Sequence, residues 1–202
     1  MDTSYSCVFS DSEWDINDWM SVKSPRWEDK GKWIQEIDHI HNWVPDDVEQ
    51  TSLMNSEASR TYASMLYREP VTDFSVGVEM SFDDRMAPLI VLSGHPPKDS
   101  TGYFVYREHV EIVLFDEGIN VWSHFWSMPA GPSWEKIAFF PLKFPPKQRH
   151  LLEVDRSKKD LLFIKIDGQS FEVSVKLPPH LHVGITGCEG INRFYKFSLF
   201  CS

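Results

Sequence analysis

Residues 149–175, RHLLEVDRSKKDLLFIKIDGQSFEVSV, and residues 180–200, HLHVGITGCEGINRFYKFSLF, decide the fold. Together they read as four strands joined by turns. Asp167-Gly168 falls between LLFIKI and SFEVSV, and Asp-Gly tolerates the positive φ angles of a tight type I′ turn whose twist matches that of paired strands. Upstream, the polar run Arg156 to Asp160 suits a longer hairpin loop. Leu162, Ile164 and Ile166 alternate with Phe163 and Lys165, which predicts one buried face and one mixed face. Helical spacing fits these residues poorly.

The same pattern extends toward the N-terminus. YASMLYR (62–68), FSVGVEMSF (74–82), PLIVLSG (88–94), GYFVYR (102–107), HVEIVLF (109–115), GINVWSHFW (118–126) and IAFFPLKF (137–144) each predict a strand. Pro96-Pro97, Pro145-Pro146 and Pro178-Pro179 punctuate the joints. The first 60 residues differ: they hold five of the eight tryptophans, Trp14, Trp19, Trp27, Trp33 and Trp43. There we expect one strand at Lys32 to Ile40, a short helix near Ser12 to Trp19, and a polar loop or loose helix from Asp46 to Arg60 that is a candidate flap. About a dozen short strands predict an all-β antiparallel fold, a β-sandwich or a barrel, and the lack of a repeat disfavours a propeller. We expect a single domain over 1–202, with 1–60 packing on or capping the sandwich.

Composition excludes several classes. The net charge is −10 and the pI about 5.2, with Lys and Arg scattered, so neither nucleic acid nor an anionic membrane is expected as partner. No apolar run reaches the length of a membrane span, and MDTSYSCVFSDSEWD lacks the basic start and apolar core of a secretion signal, so a cytoplasmic location is expected. Cys7, Cys188 and Cys201 lie far apart and read as free thiols. No G-x-S-x-G, P-loop, G-x-G-x-x-G or H-E-x-x-H motif occurs, and no cofactor is expected.

The order of segments resembles the concanavalin A-like lectin/glucanase superfamily, particularly its bacterial domains grouped with sugar hydrolases. It runs from an aromatic N-terminal strand through DFSVGVEMSF, GINVWSHFW and RHLLEVDRSKKDLLFIKIDGQSFEVSV to a terminal VGIT…RFYKFSLF, covering Lys32 to Phe200. The resemblance implies two antiparallel sheets in a jelly roll, a concave sheet that holds sugar, and carbohydrate binding or cleavage.

Three middle strands carry the chemistry. Phe74, Val76, Val78, Met80 and Phe82 alternate with Ser75, Gly77, Glu79 and Ser81; Val110, Ile112 and Leu114 alternate with His109, Glu111 and Val113; Ile119, Val121 and Phe125 alternate with Asn120, Trp122, His124 and Trp126. The first set of each reads as core. The second suits a pyranose, whose C–H faces pack on indoles while its hydroxyls seek amides, carboxylates and imidazoles. We therefore expect Trp122, Trp126 and Tyr103 to stack on sugar rings and Asn120, His124 and His109 to bind hydroxyls. Glu79 and Glu111 are the acid/base candidates for glycosidic cleavage, which needs two carboxyl groups. Three alternatives stand beside this. Trp122 and Trp126 can form a second small core with His124 hydrogen-bonded between them; the chain can be a noncatalytic sugar-binding module; or it can be a structural or protein-interaction sandwich.

Glu36-Ile37-Asp38-His39-Ile40-His41 is similar to the E-x-D-x-x-E strand of laminarinases and lichenases, but His41 stands where the acid/base carboxylate belongs, so that activity does not transfer. His39 with His41, and His180 with His182, each offer half a zinc site. Without a third ligand, no metal is expected.

Overall fold

The computed structural model describes residues 4–27, 30–53, 57–127 and 129–201. In chain order the strands are β1 (Ser4–Val8), β2 (Trp19–Lys23), β3 (Trp33–Gln35), β4 (Ile40–Asn42), β5 (Ala63–Tyr67), β6 (Phe74–Phe82), β7 (Pro88–Ser93), β8 (Phe104–Val105), β9 (His109–Phe115), β10 (Gly118–Ser127), β11 (Gly131–Pro141), β12 (His150–Lys158), β13 (Leu161–Ile166), β14 (Gln169–Ser174), β15 (His182–Gly187) and β16 (Asn192–Cys201). The rest of the regular structure among the described residues is a 3-10 turn at Ile16–Asp18 and two single-turn helices, Gln50–Leu53 and Ala58–Thr61.

The strands form two sheets. One runs β14-β13-β12-β6-β16-β4-β3, with β1 also paired to β16; the other runs β11-β10-β9-β7-β15-β5-β2-β8. Among the described residues these strand pairings are antiparallel except that of β2 with β8. This is the expected sandwich, and its core lies between the sheets. Val76, Val78, Met80, Leu152, Ile164 and Phe197 from the first sheet meet Ile90, Ile112, Leu114, Val121, Val183 and Ile185 from the second, all fully buried. Each such side chain contributes about 1.5–3 kcal/mol relative to exposure, so period-2 alternation fixes which face of every central strand turns inward.

The closing stretch holds five strands, not four: residues 149–175 supply β12, β13 and β14, and the pair expected in 180–200 is β15 and β16, which Cys188–Gly190 carries into different sheets. Asp167 and Gly168 have φ of 47° and 78° and join Ile166 to its partner Gln169, the expected two-residue turn. The loop expected at Arg156 to Asp160 is tighter. Arg156 is buried within β12 and donates to the carbonyls of Pro178 and Pro179, and Asp160 turns the chain at φ 58°. Pro141 ends β11 at the sheet edge, where a missing N–H donor is tolerated.

The N-terminal segment departs most from expectation. Lys32 to Ile40 is a hairpin rather than a strand, closed by Glu36 N–H donating to the carbonyl of His39. The helix near Ser12 to Trp19 shrinks to the 3-10 turn, capped by Asp15. β1 is a strand beyond those expected. The segment also joins both sheets, since β1, β3 and β4 lie in one and β2 in the other.

Candidate functional site

The site is built on the outer face of the second sheet, where β9 and β10 pair with His109 opposite His124 and Glu111 opposite Trp122. Because Val110, Ile112 and Leu114 point into the core, strand alternation sends His109 and Glu111 to the other face. The two imidazole rings lie nearly parallel, with centroids 4.5 Å apart and planes 14° apart. Glu111 faces both: Oε1 is 3.2 Å from His109 Nε2 and Oε2 is 3.0 Å from His124 Nε2. Burial favours the neutral acid, but the imidazoles of His124 and His109 outweigh it and hold the carboxyl well below the usual range. Burial in turn pushes the His109 pKa down, with Glu111 opposing.

The floor beneath is fixed by hydrogen bonds. The Tyr106 ring stacks on His109 with centroids 4.4 Å apart, and its hydroxyl is 2.7 Å from Ser64 Oγ, which is 2.6 Å from Thr186 Oγ1. Beside this pile lies a second small core containing Met20, Val22, Tyr62, Leu66, Val91 and Tyr106, against which Trp122 packs. Part of the outer face is thus filled. Two cavities of about 250 and 70 Å³ open beside it and share Arg26, Glu111, His124, Cys188 and Glu189. Trp122 and Trp134 line the larger; Trp27, Tyr62 and Arg107 line the smaller. The Arg26 guanidinium sits over two indoles, 4.5 Å from Trp27 and 4.7 Å from Trp134.

Glu189 is the second carboxylate here, and it is absent from the candidates that strand alternation supplies. It occupies the turn between β15 and β16 with φ of 58°, a conformation uncommon for a residue with a Cβ. Two buried amides hold that turn. Asn42 Nδ2 donates to the carbonyls of Thr61 and Gly190 at 2.8 Å each, and its Oδ1 accepts the N–H of Asn192 at 2.9 Å. Asn192 Nδ2 donates to the carbonyls of Cys188 and Gly190 at 2.9 and 2.7 Å. Burial pushes the Glu189 carboxyl up to about 7, with Arg26 opposing the shift and the charge of Glu111 adding to it. The only local sign was an acid between Cys188 and Gly190, a pattern that solvated turns also show.

The remaining expectations divide. His109, Glu111, His124 and Trp122 come together. Glu79 does not: β6 belongs to the first sheet, and Glu79 points away from the core on that sheet's outer face, 3.5 Å from Arg149 Nη1. The Glu79–Glu111 acid/base pair is therefore absent, since the whole core separates the two sheets' outer faces. Asn120 is buried, its Oδ1 has no partner among the described residues, and it lines none of the cavities named here. Tyr103 is 45% exposed on a loop, with Lys30 Nζ 4.6 Å above its ring. Trp126 lines a separate cavity of about 380 Å³. Phe125, expected in the core, is 42% exposed near the end of β10.

The polar segment Asp46 to Arg60 lines none of these cavities among its described residues. Glu36 to His39 is the turn of the β3–β4 hairpin and Ile40 and His41 open β4 on the first sheet, so the stretch is not the single strand that the E-x-D-x-x-E pattern occupies. The expected histidine pairs do not converge. His39 bonds Asp38, His41 lies near the Asn42 carbonyl, and His182 faces His95 and the Tyr67 carbonyl. The nitrogens of His109 and His124 and an oxygen of Glu111 lie within 4.8 Å of one another, a spacing a metal ion also accepts. All three cysteines are free.

No protein-family model matches this chain, and no curated protein matches it in sequence. Solved structures do match in fold. A glycoside hydrolase family 16 endo-glucanase from Bacteroides ovatus superposes with a TM-score of 0.62 at 8% identity, covering 96% of this chain and 99% of that one. The carbohydrate-binding module CBM66 from Bacillus subtilis gives 0.58 at 12%, covering 89% and 94%. The lumenal domain of VIP36, in a form bound to Ca²⁺ and Man3GlcNAc, gives 0.59 at 12%, covering 98% and 88%. The fold is the concanavalin A-like jelly roll, as the order of strands implied.

Proposed function

We propose that this protein binds carbohydrate in the cleft over β9 and β10, and that Glu111 and Glu189 give the cleft glycosidase-type hydrolysis. One observation carries the reading: two carboxyl groups share a cavity walled by indoles, and their surroundings push their pKa values in opposite directions. A cleaving site needs that division, with one carboxyl protonated to release the leaving oxygen and the other ionised to act as base or nucleophile. Glu189 takes the first role and Glu111 the second. His109 and His124 act as positioning residues that keep Glu111 ionised and oriented. Trp134, 51% exposed at the cavity wall, offers the flat apolar surface that a pyranose C–H face packs on. The structural neighbours, which include a glucanase, a carbohydrate-binding module and a glycan-bound lumenal domain, support a sugar as the ligand class.

A noncatalytic sugar-binding module is the second reading, favoured by the second core, which fills part of the face. A panel of oligosaccharides of varied linkage, scored for binding by calorimetry and for cleavage by chromatography, separates the two. The hydrolase reading expects products whose formation stops in Glu189→Gln and Glu111→Gln while binding persists. Binding without any product in the wild-type protein leaves the module reading. A panel in which nothing binds overturns both.

A further inference from the structure

The 380 Å³ cavity lined by Trp126 adjoins the Glu111 site: Ser24, Pro25, Arg26, Trp27 and Arg107 wall both it and the smaller of the two site cavities. Its charge runs against that of the chain. Lys23, Arg26, Lys98 and Arg107 line it and Asp99 is its one carboxylate among the described residues, in a protein with 20 Lys and Arg against 30 Asp and Glu. Asp99 is already engaged: Oδ2 is 2.9 Å from Lys23 Nζ, and Oδ1 accepts the N–H groups of Thr101 and Tyr103 at 2.9 and 3.0 Å. Arg26, Lys98 and Arg107 have no ion-pair partner among the described residues, and all three are exposed. Arg26 also acts on Glu189, but Lys98 and Arg107 have no such carboxylate among the described residues, so positive charge is in excess around this concavity and a bound anion relieves the repulsion.

The walls say more about the ligand than its sign. Trp27 and Trp126 bring indoles into the same cavity, so the occupant combines an anionic group with an apolar ring face. Guanidinium forks such as those of Arg26 and Arg107 match the planar oxygens of a carboxylate or the oxygens of a sulfate. Resting on the carbohydrate reading above, we infer that this cavity is a subsite for an acidic sugar residue, carrying carboxylate or sulfate, adjacent in the glycan to the residue held at Glu111 and Glu189.

Calorimetry on the full chain tests this with three probes of equal length: an oligogalacturonate, a sulfated galactan oligosaccharide and a neutral galactan oligosaccharide. At least one anionic probe is expected to bind about tenfold or more tighter than the neutral one, with the advantage shrinking as salt rises. The arm that wins identifies carboxylate or sulfate. Lys98→Ala with Arg107→Ala removes the advantage while a circular dichroism spectrum stays unchanged. The salt dependence of the wild type reads the same effect without any variant. Equal, salt-insensitive binding of neutral and anionic probes overturns this inference and leaves the carbohydrate reading standing. Polyglutamate binding as tightly as the anionic sugars overturns the subsite as one for sugar, and failure of every glycan overturns both.

Discussion

The imidazole of His109 lies against that of His124, centroids 4.5 Å apart and planes 14° apart, with the Glu111 carboxylate spanning their edges at 3.2 and 3.0 Å. Two like rings packed this closely give one carboxylate two donors, and the charged, ordered base that results is what the proposed chemistry at Glu111 requires.

Replacing Glu111 with Gln keeps the shape and removes the charge. We expect glycan cleavage to fall by about 10²–10⁴-fold, the usual contribution of a positioned acid–base group. Binding of the same oligosaccharide should change little. Initial rates beside calorimetric Kd values check the split, and unchanged turnover in the variant removes Glu111 from the chemistry.

Glu189 sets a pH dependence. Its folded-state pKa is raised to about 7, above the ordinary value of about 4.3 in the unfolded chain. Between those two pH values the native protein holds a proton that the unfolded chain has released. Stability therefore falls as pH rises through that window, by up to about 1.4 kcal/mol per unit, and levels off above pH 7. Cleavage, which needs the protonated acid, should decline on the alkaline side of the same value. Urea melts across pH 5 to 8, flattened in Glu189→Gln, read the first effect. A wild-type curve as flat as the variant's contradicts the assignment.

Asn42 ties the Glu189 turn to β4. Asn42→Ala leaves the carbonyl of Thr61 and the N–H of Asn192 without these partners, and each buried group so orphaned costs about 1–3 kcal/mol. A marked fall in Tm is expected, together with weaker glycan cleavage as the turn loosens. Thermal melts and rates measured below the variant's Tm keep the two effects apart.

Gly184 in β15 has no room for a side chain, because a Cβ there meets the Met65 carbonyl oxygen at 2.0 Å and the Leu66 Cα at 2.7 Å. Both obstacles are backbone on the neighbouring strand β5, so nothing rotates away. Gly184→Ala should cost at least the about 1–3 kcal/mol typical of overpacking, visible as a lower urea midpoint. Gly168→Ala, with open space at its Cβ, tests backbone strain alone.

Trp134→Ala removes an exposed indole from the cavity wall. With stacking worth about 0.5–1.5 kcal/mol beyond area, the Kd for a bound oligosaccharide should rise about two- to tenfold, with Tm nearly unchanged. A Kd unaffected by the change places the sugar elsewhere.

Whatever depends on neighbours along the chain is legible in the sequence alone. Alternation in FSVGVEMSF, HVEIVLF and LLFIKI sets the inward faces, Asp167-Gly168 sets its turn, and the order of strands implies the jelly roll. The same local rules identify His109, Glu111, Trp122 and His124 as a polar and aromatic face, because β9 and β10 are consecutive strands and pair directly. They fail where pairing is long-range. Glu79 and Glu111 look alike locally, each an acid between apolar strand residues, yet β6 pairs with β12 and β16 while β9 pairs with β7 and β10. Long-range packing puts the two carboxylates on opposite sides of the core. It also brings Glu189, Arg26 and Trp134 to Glu111 from turns and edges far apart in the chain. A residue's face follows from its own strand's period, but its sheet and its companions follow from which distant strands it joins, and that choice is made by the packing of the whole core.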